Sequence, residues 1–235
     1  MKYNWKNDKE YGTLFYKRAT GELPEMECSK SLSEEIKKIY SPKMSILDVG
    51  CGVGHYLRSF RKRVDKNIIY TGVDITERYI KLAQKIFPTA RFKVGDALDL
   101  PFPSNSFNIV FSNNLIQHMA LPLNKFISEL IRVSKTYVIL RYPSAKDNYI
   151  IKEAPAIDEK GNLKDWFYLN LYTDEYIKKV VGKNLKIDTI LDNSGGTLKG
   201  ITNNNDQTAL RLYNNKLQQV SGSIILNFKY LIIRK

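Results

Sequence analysis

Ser45-Ile46-Leu47-Asp48-Val49-Gly50-Cys51-Gly52-Val53-Gly54 is the stretch whose reading decides the fold. Ser45 to Val49 is a short apolar run bounded by turn residues, which predicts a buried strand. It enters a segment with glycine at alternate positions, Gly50, Gly52 and Gly54. Glycine at such places lets backbone approach a ligand or take φ > 0 in a tight turn. A helix is expected next, from about Gly54 to Val64. A strand that turns through glycines into a helix is the nucleotide-binding corner of an open parallel sheet.

Strands and helices alternate outward from that corner, which predicts an α/β chain with a mainly parallel sheet. Asn67 to Asp74 reads as a second strand, and Thr76 as the N-cap of the helix after it, with Glu77 in the first turn. Tyr79, Ile80, Ala83, Ile86 and Phe87 recur at helical spacing until Pro88. Arg91 to Val94 and Phe107 to Ser112 are strands three and four. Pro122 opens a helix with Leu123, Phe126, Ile127, Leu130 and Ile131 as its apolar stripe. Thr136 to Tyr142 is the fifth strand, and Thr173 caps a helix running to about Val181. Leu185 to Leu191 and Ser223 to Ile233 are the last two strands. The Asn- and Gly-rich connection from Asp192 to Gly222 reads as an elaborated hairpin loop. Ahead of the core, Ser31 to Tyr40 is predicted as an amphipathic helix. Tyr3, Trp5, Tyr11, Phe15 and Tyr16 form an aromatic cluster upstream, read as a flap that packs on the core or closes over a site.

Three ligands compete for the glycine corner. A phosphate-binding P-loop ends in Gly-Lys-Ser/Thr, whereas Gly54 is followed by His55 and Tyr56. A dinucleotide fingerprint is G-x-G-x-x-G, and here Gly54 comes one residue too early while His55 occupies the third glycine's place. The third ligand, S-adenosylmethionine (SAM), carries no phosphate. It needs close backbone approach and acidic groups for its hydroxyls and ammonium.

The chain resembles the class I SAM-dependent methyltransferase superfamily, in particular its small-molecule branch, over about Ser45 to Tyr142. Asp48-Val49-Gly50-Cys51-Gly52-Val53-Gly54 fits that family's acidic-x-G-x-G-x-G motif, and Asp74 ends the second strand 20 residues after Gly54. The resemblance implies that Asp74 accepts hydrogen bonds from the ribose hydroxyls and that Asp96, in Gly95-Asp96-Ala97, bonds the adenine amino group. It also assigns Asp48, Gly50, Cys51, Gly52, Gly54, His55, Ile75, Ala97 and Asn113 to the cofactor site, with His55 at its methionine end or capping the helix. Asp99-Leu100-Pro101-Phe102-Pro103 and Phe107-Asn108-Ile109-Val110 match the family's approach to strand four, except that Asn108 stands where Asp is usual. The fold so implied is a Rossmann-like, seven-stranded, mostly parallel sheet with helices on both faces, the last strand antiparallel, and an N-terminal helical flap. It forms one domain, with insertions near 144–172 and 192–222.

Methyl transfer from a sulfonium asks the protein to position the acceptor and exclude water. A hydroxyl acceptor gains from a general base. Of the two histidines, His118 follows strand four at the carboxyl edge of the sheet and is the candidate catalytic base; a structural or cofactor-side role is the alternative. Ser112-Asn113-Asn114-Leu115 replaces the Asn/Asp-Pro-Pro-Tyr of the branches that methylate planar nitrogens. Arg18 is a candidate partner for the methionine carboxylate or for the acceptor. Tyr11 and Tyr16 are candidates to line the acceptor pocket, and Arg141 and Tyr142 to contact an anionic acceptor. Histidine is too scarce for a catechol-type metal cluster, so no metal is expected.

Composition sets the outer limits. The chain has 235 residues, 43% hydrophobic and 26% charged, which fits a single folded domain and argues against disorder. No run approaches the roughly 18 apolar residues of a membrane span, and Met1 to Gly12 lacks a secretory h-region. Cys28 and Cys51 have neither zinc nor disulfide spacing, and a reducing cytoplasmic setting is expected. The net charge of +13 admits two readings: an anionic partner such as RNA, or A+T-rich coding, since 27 Lys outnumber 10 Arg and the basic residues are scattered apart from Arg58, Arg61, Lys62 and Arg63. The leading expectation is O-methylation of a small molecule such as a sugar, a lipid precursor or a secondary metabolite. An RNA methyltransferase and a non-catalytic SAM-binding subunit are the alternatives.

Overall fold

The computed structural model describes residues 9–119, 122–153, 156–164, 167–182, 184–192, 209–213, 216–221 and 224–235. Tyr3 and Trp5 of the aromatic cluster lie outside the described residues, as does the side chain of Tyr11. Two helices come first, α1 (Lys9–Thr20) and α2 (Glu27–Ile39). The core follows as β1 (Ser45–Val49), α3 (His55–Arg63), β2 (Ile69–Asp74), α4 (Glu77–Ile86), β3 (Arg91–Val94) and β4 (Phe107–Ser112). A 3-10 turn (Ile116–His118), α5 (Leu123–Val133) and β5 (Ser134–Ser144) come next. Four short strands, β6 (Tyr149–Glu153), β7 (Ala156–Ile157), β8 (Leu163–Lys164) and β9 (Phe167–Leu171), precede α6 (Asp174–Val181) and β10 (Lys186–Leu191). The chain closes with β11 (Ala209–Tyr213), β12 (Lys216–Ser221) and β13 (Ile224–Arg234).

β3, β2, β1, β4 and β5 lie side by side and parallel. β13 runs antiparallel to β5 and to β10, which completes a seven-stranded sheet whose final strand is reversed. The β11–β12 hairpin extends the sheet along the first residues of β13. This is the elaborated loop expected between Asp192 and Gly222. The insertion after β5 holds two small antiparallel pairs, β6 with β9 and β7 with β8.

Successive strand side chains point to opposite faces, and two cores result. Ile46, Phe111, Ile139, Tyr230 and Ile232 face α2, α3 and α4, meeting Leu32, Ile36, Leu57, Phe60, Ile80 and Ala83. Their neighbours Leu47, Val110, Val138, Leu140, Leu231 and Ile233 face α5 and α6, meeting Phe126, Ile127, Leu130 and Ile177. The central strands are apolar on both faces because helices cover both. Full burial of each such side chain contributes about 1.5–3 kcal/mol. Thr173 Oγ1 accepts from Tyr176 N at 3.0 Å and caps α6 as expected. Thr76 stands at the N-cap of α4 but makes no side-chain cap bond; its hydroxyl turns to Asp74 instead.

Candidate active site

β1 pairs with β2 on one side and with β4 on the other. The direction of chain crossover therefore reverses between β1 and β4, and a crevice opens at their carboxyl ends. Gly50 to Gly54 line it. Gly50, Gly52 and Gly54 have φ of 80°, 55° and 78°, left-handed values that an L side chain rarely adopts. A Cβ on Gly54 would come within 2.8 Å of the Phe92 ring, and one on Gly50 within 2.9 Å of Leu115. Val73 O accepts from both Gly50 N and Cys51 N, at 2.8 and 3.0 Å, and ties the loop to β2. Cys51 is a buried packing residue, and burial pushes its thiol pKa well up.

Asp74 closes the loop from the next strand. Its Oδ2 accepts from Gly52 N at 2.9 Å and its Oδ1 from Thr76 N at 2.8 Å. Burial raises its pKa, and these amides hold it part of the way back. An ionised carboxylate has about four lone-pair sites; the two amides and the Thr76 hydroxyl take three of them, which leaves room for a ligand hydroxyl. Asp48 is different. It is 1% exposed, and Tyr70 OH donates to its Oδ2 at 2.5 Å. Burial, with Asp74 nearby, pushes its pKa up to about 8. Asp48 thus supports the loop from beneath and does not line its ligand face, a correction to its expected contact with the cofactor. A carboxyl at the end of a central strand is buried by the sheet itself.

The residues around the loop fit SAM. Both ring nitrogens of His55 and Oδ1 of Asn113 are buried without a hydrogen-bond partner. Buried polar atoms left unpaired cost about 1–3 kcal/mol each, and a ligand with donors and acceptors removes that cost. Asn113 Nδ2 donates to Tyr56 OH at 2.5 Å, which fixes its amide. Burial, with Arg18 nearby, lowers the His55 pKa to about 3, so the ring is neutral. Phe15 of α1 stacks on His55, with centroids 5.4 Å apart and planes 11° from parallel. It also meets the Tyr79 ring edge-on at 6.0 Å and lies 3.6 Å from a Cβ position on Gly52. The flap expected from the N-terminal aromatics is therefore α1, seated over the glycine loop. Of the residues expected at the adenine, Ile75 is 57% exposed, Asp96 is exposed and accepts from Leu98 N, and Ala97 is half-buried.

The acceptor side is built around the 3-10 turn. His118 Nδ1 lies 2.9 Å from Tyr168 O of β9. A carbonyl only accepts, so Nδ1 carries the proton and Nε2 the basic lone pair. Burial lowers the ring's pKa, and the Tyr168 carbonyl partly opposes that. The ring is accordingly neutral at pH 7.

Other expected site residues are committed elsewhere. Arg141 is 2% exposed; its Nε donates to Asp192 Oδ2 at 2.6 Å, and Nη1 donates to Asn114 Oδ1. Its guanidinium also stacks 3.6 Å above the Phe228 ring. Tyr142 is fully buried and donates to Asp174 Oδ1 at 2.8 Å. Neither presents itself to an acceptor: Phe228 of β13 and Asp192, just past β10, cover Arg141, and Asp174 at the start of α6 holds Tyr142 on the other face. Tyr16 points outward and is exposed. Arg18 Nη1 contacts Met26 Sδ at 2.9 Å, while the guanidinium stays close enough to His55 to lower its pKa. The expected role of Tyr11 lies outside the described side chains. Sequence reasoning missed Tyr56, Tyr168 and Asn170 as parts of the site. Tyr56 reads as core, and the contact Tyr168 makes with His118 is through its backbone carbonyl, which carries no side-chain signal. Among the described residues no group of three or more His, Cys, Asp or Glu is arranged to hold a metal ion, and no helix is long and apolar enough to cross a membrane.

Residues 46–136 match the methyltransferase-domain family. Over 107 residues the chain is 36% identical to ajmaline N-methyltransferase of Rauvolfia serpentina, covering 42% of this chain and 36% of that protein. Over 102 residues it is 39% identical to 2-methyl-6-phytyl-1,4-hydroquinone methyltransferase of Synechocystis, covering 42% of this chain and 31% of the relative. The matched part thus spans about a third of the length of these relatives. Among solved structures, a SAM-dependent methyltransferase of Methanosarcina mazei superposes with a TM-score of 0.58 at 18% identity, covering 86% of this chain and 96% of the other. That likeness establishes the fold.

Proposed function

We propose that this chain, which belongs to the class I SAM-dependent methyltransferase superfamily through residues 46–136, methylates a hydroxyl of a small-molecule acceptor with His118 as general base. The observation that carries the reading is the fixed tautomer of His118, with Nδ1 held 2.9 Å from Tyr168 O and Nε2 basic. SAM, when bound, supplies a methyl group already activated on a sulfonium. Asp74 and the glycine loop hold the ribose end, Asn113 Oδ1 and the His55 ring offer partners to the methionine end, and α1 excludes water. Nε2 of His118 takes the proton from the acceptor hydroxyl, which a neutral imidazole does at pH 7. The two relatives are named for a nitrogen and for a hydroquinone, so the choice of oxygen here rests on His118.

His118→Ala tests it. Turnover should fall by roughly 10²-fold or more, with SAM binding retained by calorimetry. Undiminished turnover overturns the general-base role. The turnover of the unaltered chain should be flat above neutral pH and decline only on the acid side, below the ordinary histidine range, since burial lowers the His118 pKa.

An RNA acceptor finds less support. Within the one basic cluster, Lys62 and Arg63 pair with Glu25, and Arg61 donates to Thr89 Oγ1. One carboxylate thus meets two of the four cations, which lowers the charge this cluster offers an RNA.

A further inference from the structure

β9 belongs to the insertion between β5 and α6, yet it packs directly on the 3-10 turn that carries His118. Two bonds join them. The first is His118 Nδ1 to Tyr168 O, at 2.9 Å. The second is Asn170 Nδ2 donating to Met119 O, at 2.6 Å. Residues 168 and 170 are two apart on one strand, and residues 118 and 119 are consecutive. The two bonds therefore form a clamp with one leg on the imidazole and one on the backbone directly after it. Asn170 is completely buried. A buried amide is expensive to keep without a full set of partners, and Oδ1 of Asn170 has none. Packing alone favours an apolar residue at such a place, so the amide sits there at a cost. Besides a bond to the Tyr172 side chain, it secures the Met119 carbonyl, and through it the distance from His118 to Tyr168 O.

We infer that Asn170 is a positioning residue for His118: by clamping Met119 O to β9 it keeps Nδ1 on the Tyr168 carbonyl and so holds Nε2 as the basic nitrogen. The catalytic role of Nε2 rests on the function proposed above; the clamp itself does not. β9 is antiparallel to β6, so the insertion that shapes the acceptor side also sets the imidazole's tautomer.

The chain has two histidines, which makes the ring nitrogens resolvable by long-range ¹H–¹⁵N NMR. Asn170→Leu removes the donor together with the unpaired carbonyl, and Asn170→Asp keeps the shape but loses the N–H. Both are compared with the unaltered protein at a pH where the rings are neutral, with SAM affinity by calorimetry as the check that the cofactor site is formed. In the unaltered chain His118 should be almost wholly the Nδ1–H tautomer. In both variants it should become a mixture of tautomers, and kcat should drop by roughly 10- to 100-fold, as small misplacements of a reacting group do, with the KM for SAM little changed. Should one variant lose SAM binding, the other carries the comparison. If the variants bind SAM and keep the Nδ1–H tautomer, the positioning role is overturned, whatever happens to turnover. If the tautomer shifts while His118→Ala leaves turnover intact, the clamp stands and the general-base reading falls.

Discussion

Asp48 shows how one residue type divides its work by depth. Asp48 and Asp74 end neighbouring strands, but Asp74 reaches the loop amides while Asp48 is sealed against Tyr70. The folded chain holds Asp48 protonated up to about 8, against an ordinary 3.8. Between those values the folded state binds a proton that the unfolded state has released. Stability from this group is therefore full below about pH 4 and is lost as pH rises toward 8. Asp48→Asn should flatten the decline in denaturation midpoint between pH 5 and pH 8; parallel slopes for the two proteins would contradict the raised pKa. The carboxylates and glycines were legible as positions because they belong to a motif with a fixed spacing, and His118 because it is one of two histidines and follows strand four. Asp48 was legible as a position but not as a role, since its burial depends on strands that arrive later in the chain. Asn170 gave no signal at all. It lies in an insertion with no motif, and its partner is a backbone carbonyl 51 residues away.

At the scale of elements, β1 to β5 and α3 to α6 were readable because each buries an apolar run or stripe against the sheet. Arg91–Val94 and Phe107–Ser112 fall where the sequence places them. α1 was read as part of an N-terminal helical flap without bounds, since its polar majority hides the stripe; among its described side chains Phe15 is the ring that stacks over the site, on His55. Arg141 was misread because β5 alone ends at the sheet edge; the cover over it comes from β10 and β13. Four substitutions test this scale. Thr173→Ala should cost about 1 kcal/mol, as the loss of a bonded N-cap does, whereas Thr76→Ala, without a cap bond, should cost less stability but weaken SAM binding through Asp74. Asp192→Ala leaves Arg141 charged and buried without its carboxylate, which should cost about 3–5 kcal/mol; equilibrium unfolding measures each. Phe15→Ala removes a ring stack of about 0.5–1.5 kcal/mol and should weaken SAM binding by roughly 2- to 10-fold. Tighter binding by calorimetry would mean that α1 obstructs the site instead of covering the cofactor.

Over the whole molecule, the strand order places the glycine loop, Asp74 and the His118 imidazole on one edge of one sheet. Of the +13 charge, the strongest compositional signal, the Arg58–Arg63 cluster turns two cations, Lys62 and Arg63, to Glu25. The most direct measurement is incubation of the pure protein with methyl-labelled SAM and an extract of its source cells, followed by fractionation of the label. The account predicts label in a small-molecule fraction, as an ether or ester methyl, lost with His118→Ala. Label in an RNase-sensitive polymer, or none anywhere although calorimetry confirms SAM binding, would contradict it.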